Sequence, residues 1–227
     1  PQEVLSTYPA LCLTYAIALL FIRDRSAPAT MSLIQVPLEM AERYWQAEGN
    51  RPKLGELLAA RNQIAWWQGD LPQSFAAAKQ ALELLPEQET FWRATVILPI
   101  GIEELLAGRL DVAQQAAREA QACFEAVRNP YGVRAATQAL GEICYRQGDL
   151  HAAAQIYQQL LSEAAEDPVD MASARMGLAA LSYEWNELHE AEQELSQALD
   201  LGKRHTEELG KYYMEAFRLI PGSLILA

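Results

Sequence analysis

The chain has 227 residues, with 18 Lys and Arg against 30 Asp and Glu, a net charge of -12 and a pI near 4.7. A surface so acidic repels phosphates, which argues against contact with nucleic acid or an anionic membrane. Hydrophobic side chains make up 51% of the sequence, enough for a continuous core, and periodicity decides how that core is divided.

Taken in order, residues 9–23 read as one helix, residues 32–47 as its partner, and residues 24–30 as the loop between them. Pro37 falls early in that second helix, where its missing donor costs little only within the first turn. Residues 11–22 are the most apolar run, but about 12 residues cannot cross a bilayer that needs about 20. With no basic flank and no small-residue cleavage site, the run reads as a buried helix and not as a signal peptide. Residues 53–68 and 72–85 form the next pair, and Trp66 and Trp67 close its first helix. Residues 89–107 and 111–127 follow, with Pro99 and Gly101 expected to kink the first of them. Then come 131–147 with 150–165, and 168–185 with 188–204. Residues 206–227 read as the first helix of a sixth unit. The expectation is a single helical-repeat domain with units at about 1–52, 53–88, 89–129, 130–167, 168–205 and a partial unit at 206–227. Pro1 at the start and the apolar residues 224–227 at the end suggest a piece of a larger protein.

Four turns align along this series: Gly69-Asp70-Leu71, Gly108-Arg109-Leu110, Gly148-Asp149-Leu150 and Asn186-Glu187-Leu188, spaced by 39, 40 and 38 residues. Gly, or Asn in its place, tolerates the left-handed backbone that ends a helix. Small residues keep register with the turns as Asn62/Ser74/Ala81, Gly101/Ala113/Ala120, Gly141/Ala153/Leu160 and Ala179/Ala191/Ala198, the third triplet ending on a larger side chain. Residues 140–161 hold the clearest unit. Leu140, Cys144 and Tyr145 recur at helical spacing, Gly148 ends the helix, and Leu150, Ala153, Tyr157 and Leu160 restart the stripe. Gly141 and Ala153 are small where the two helices face each other, so the axes can approach to about 8 to 10 Å.

Leu140-Gly141, Tyr145, Gly148, Ala153 and Tyr157, with Pro86 closing an earlier unit, resemble the tetratricopeptide repeat, although the period is longer than that family's usual value of about 34. The resemblance implies an all-α, right-handed superhelix (solenoid) of antiparallel helix pairs, about five pairs plus a terminal helix. The first helix of each pair would line the concave face.

The residues offer little for catalysis. No phosphate-cradling glycine loop with a following Lys occurs. His151 and His189 open equivalent second helices, His205 falls in a late linker, and none stands in metal-ligand spacing. Cys12, Cys123 and Cys144 are far apart and odd in number, which fits no disulfide framework and favours a reducing cytoplasm. The place of Cys144 in the hairpin stripe favours a structural thiol. Glu103 and Glu104 are adjacent on a helix and diverge by about 100°, so they do not face each other as an acid/base pair. No catalytic residue and no metal are therefore expected. What remains is a groove presenting Gln63, Trp66, Arg134, Gln138, Glu142, Tyr145, Arg175, Met176 and Tyr183, with Glu184 beside them. Aromatics with amides and a carboxylate suit a neutral sugar, a polyol or a peptide. In the competing reading Trp66, Tyr145 and Tyr183 pack between successive hairpins.

At larger scale, residues 1–5 with 9–20, and residues 177–192 (Gly-Leu-Ala-Ala-Leu-Ser-Tyr-Glu-Trp-Asn-Glu-Leu-His-Glu-Ala-Glu), look like the sensor region of large MalT-like, LuxR-family transcriptional regulators. That resemblance implies an amino-terminal ATPase before this region and a helix-turn-helix domain after it, so ATP would be bound elsewhere and no cofactor here. It also implies a small-molecule inducer or a regulatory protein as partner, self-association controlled by it, and no contact of this region with nucleic acid or membrane. The rival expectation is a general protein-binding scaffold with no small-molecule effector.

Overall fold

The computed structural model describes residues 2–22, 28–164 and 167–205. Every element among them is helical: α1 (Gln2–Thr7), α2 (Leu11–Ile22), α3 (Pro28–Ala47), α4 (Arg51–Trp67), α5 (Leu71–Leu84), α6 (Thr90–Leu106), α7 (Leu110–Ala126), α8 (Pro130–Gln147), α9 (Leu150–Glu163), α10 (Pro168–Glu184) and α11 (Leu188–His205). The all-α repeat expected from the periodicity is what forms, with helices packing in chain order.

The helix ends explain why. Each of the four aligned turns holds its left-handed residue, with φ of 75° at Gly69, 75° at Gly108, 82° at Gly148 and 62° at Asn186. At two of them the next residue caps the following helix: the Asp70 carboxylate accepts from the Gln73 amide at 3.0 Å and Asp149 from the Ala152 amide at 3.1 Å, whereas Arg109 makes no side-chain cap. Asn50, Asn129 and Asp167 cap α4, α8 and α10 in the same way, each just before a helix that carries Pro in its first two positions. One residue stops a helix and its neighbour starts the next, so the chain reverses within two or three residues.

Contacts run antiparallel within a hairpin. Gly55, early in α4, lies against Leu85 just past α5, whereas Asn62 further along α4 meets Ser74 near the start of α5. Small residues set the spacing: Ala59, Ala78 and Ala81 form one core with Leu85 and Val96. In α1–α4 the core is Leu5, Cys12, Leu13, Ala16, Ile34, Leu38, Ala41, Leu57 and Ala60. Ala153, Tyr157, Leu160, Ala174 and Leu181 form the core of α9 and α10. The helices fall into two compact units, residues 1–100 and 101–227.

Three expectations are corrected. Helix α3 begins at Pro28 and not at Ser32, because Pro is favoured at the first helical position, and residues 28–30 are helix where a loop was expected. That earlier start puts Pro37 in the interior of α3 instead of its first turn; the ring is buried, which offsets the lost donor. His205 belongs to α11, not to a linker. The short helix α1 had no counterpart among the expected elements. Helix α6 runs on through Pro99. The expected helix at 206–227 lies outside the described residues.

Candidate functional site

In the second unit, Tyr157 decides how closely α8 and α10 approach. Its ring from α9 lies between Gly141 and Gly177: a Cβ on Gly141 would stand 2.8 Å from a ring carbon, and one on Gly177 would stand 2.4 Å away. Only hydrogen fits at these two positions, so the equivalent first helices α8 and α10 run side by side over the same ring.

Two side-chain bridges exploit that proximity. The Arg134 guanidinium of α8 donates to the Asp170 carboxylate of α10. The Tyr145 hydroxyl donates to Glu184 Oε1 at 2.9 Å. Between them Glu142 accepts from Arg146 Nε at 2.7 Å, and Gln138 is half-buried one turn away. Thus Arg134, Gln138, Glu142 and Tyr145 form one row along α8, joined to α10 at both ends. Burial, reinforced by the bond to Glu184, pushes the Tyr145 phenol up to about 12. Burial likewise lifts Tyr157 well above the ordinary tyrosine value. The Glu142 and Asp170 carboxyls are raised by burial against the opposing pull of their arginines.

The rest of the expected groove residues are distributed differently. Arg175 Nη1 donates to Glu194 Oε2 at 2.7 Å and so reaches α11. Met176 is buried with Ala172, Ala198 and Leu201, again between α10 and α11. Tyr183 is exposed at the end of α10. Gln63 and Trp66 lie on α4 in the first unit, both half-buried. Gln63 Nε2 donates to the Thr95 carbonyl at 3.3 Å, beside Asn62 Nδ2, which donates to the same oxygen at 3.0 Å. Ser74 Oγ donates to Asn62 Oδ1 at 2.6 Å, so a fully buried amide ties three helices together.

The partners Asp170 and Arg146 were not anticipated, and Glu184 was anticipated only loosely. A usable signal was present: Asp170 lies 36 residues beyond Arg134 and Glu184 lies 39 beyond Tyr145, both near the repeat period. At the Arg134 end of the row a cleft of about 420 Å³ is lined by Glu125, Arg128, Asn129, Pro130, Val133, Arg134 and Glu163. Donors and acceptors in a row suit recognition more than bond-making. The thiols of Cys12 and Cys144 and the phenol of Tyr145 are all raised, away from their nucleophilic forms. Among the described residues no group of three or more His, Cys, Asp or Glu could hold a metal ion, and no helix is long and apolar enough to cross a membrane.

Comparison with known proteins matches residues 55–216 to the family model described as the MalT-like TPR region. No curated protein matches the sequence. The matched span runs from α4 to beyond α11 and includes both Gln63 and the Arg134–Tyr145 row.

Proposed function

The chain belongs to the MalT-like TPR region family, and from that premise we propose that it is the sensor part of a cytoplasmic, LuxR-type, ATP-dependent transcriptional regulator. It binds a small-molecule inducer or a regulatory protein and so controls self-association and the DNA-binding activity that other domains carry. ATP is bound outside this region, and the region itself performs no catalysis and needs no cofactor. The single observation that supports this reading is the row Arg134, Gln138, Glu142 and Tyr145, held in fixed geometry by Asp170, Arg146 and Glu184. Paired charges, an amide and a phenol on rigid helices give directed hydrogen bonds to a neutral polyol or sugar, or to a peptide.

Calorimetry against a panel of sugars, polyols and short peptides tests the proposal. The expected result is saturable heat with one member, and affinity lowered about tenfold by Gln138→Ala or Tyr145→Phe, as loss of one or two buried hydrogen bonds implies. No heat from any member, together with stoichiometric capture of a protein, would favour the general scaffold instead. Trp66→Ala locates the surface in the first unit. A loss of affinity at unchanged melting temperature places Trp66 on it, and a loss of stability alone places Trp66 in the core.

A further inference from the structure

The turns that join α8 to α9 and α10 to α11 carry a second surface. Tyr183, Trp185 and Leu188 are 42%, 38% and 56% exposed, three large apolar side chains within six residues of chain. The neighbouring turn is fixed to them: the rings of His151 and Trp185 lie 5.9 Å apart at 30°, and Tyr145 holds Glu184. Residues 147–151 and 183–192 contain Asp149, Glu184, Glu187, Glu190 and Glu192 but no Lys or Arg. An exposed indole on a turn that carries these acids and no base favours a cationic partner, which the ring face attracts and the acids neutralise. A bare anion is repelled there, and an uncharged apolar partner would have to strip water from the carboxylates without recompense.

We propose that this turn edge docks a basic amphipathic segment of a partner protein, with Lys or Arg over Trp185, paired to Glu187 and Glu190, and apolar side chains against Leu188. Complementary charge selects the occupant, and the exposed aromatic and Leu side chains supply the apolar contact. The surface shares only the Tyr145–Glu184 bond with the Arg134–Tyr145 row, and the variants below leave that bond and the row's four residues in place, so its failure leaves the sensor reading standing and the reverse also holds.

The test uses the whole chain and a synthetic helical peptide with Lys and Arg on one face and Leu on the other, compared with a counterpart in which Glu replaces the bases. Calorimetry should show binding of the basic peptide, weakened by salt, and none of the acidic one. The combination Trp185→Ala, Glu187→Gln and Glu190→Gln should weaken binding about tenfold or more, as loss of one cation–π contact and two ion pairs implies. Glu83→Gln with Glu87→Gln, two exposed acids of the first unit, should leave it unchanged. If the triple variant melts early, Glu187→Lys with Glu190→Lys, which keeps Trp185, must weaken binding instead. Equal loss in the control pair, equal binding of the acidic peptide, or no binding of the basic peptide overturns the proposal.

Discussion

Gly177 and Gly141 are two tight points of the second unit, because any side chain there must displace the Tyr157 ring, itself nearly fully buried. Gly177→Ala and Gly141→Leu should each cost about 1 to 3 kcal/mol through overpacking, read as a lower midpoint in urea unfolding. An unchanged midpoint would mean that the ring moves aside freely. Gly148 fails for another reason: nothing lies within 4 Å of its Cβ position, and its demand comes from φ of 82° alone. The Tyr145 phenol provides a second check at this scale. Its pKa is raised from 10.0 to about 12, so the folded state holds its proton where the unfolded chain has lost it. The associated stability is intact below pH 10 and falls as pH rises towards 12. In spectrophotometric titration, Tyr145→Phe should remove one late phenolate step while the step of Tyr157 persists.

Between residues and the whole lie the helices and their ends, and here the sequence was most readable. Glycine at 69, 108 and 148 and Asn186 announced the turns because few residues accept a positive φ, and the bounds of α4 to α10 fall within a residue or two of the periodic stripes. The capping role of Asp70, Asp149, Asn50, Asn129 and Asp167 was just as visible in principle, as Asp or Asn directly before Leu or Pro, or before Arg51-Pro52 in the case of Asn50. Helix α1 is only six residues long, too short for periodicity to register. The candidate site was legible in half: spacing on one helix put Arg134, Gln138, Glu142 and Tyr145 in a row, but spacing within a helix says nothing about the facing helix. Asp170 emerges as Arg134's partner only when one repeat length is added, since equivalent positions of successive units become neighbours. Arg175 and Met176 turn towards α11 because the stripe of α10 is buried on more than one side, and a one-dimensional pattern cannot divide those sides.

For the molecule as a whole, stability that resides in nearest-neighbour packing should be lost locally. Gly177→Ala is therefore expected to accelerate amide hydrogen exchange in α9, α10 and α11 and to leave α4 and α5 as protected as before. Uniform acceleration along the chain would instead mean that the helices melt as one cooperative body. The two- and three-residue reversals bear on a separate matter, the lengths this protein tolerates. One extra residue between Gly148 and Leu150 would rotate α9 by about 100° and swing Tyr157 out of its slot. Insertions and deletions should consequently be tolerated best at the longer crossing of residues 85–89, five residues against the two or three of the aligned turns. That crossing is where a loop can be lengthened, or a tag inserted, without resetting the phase of every helix downstream.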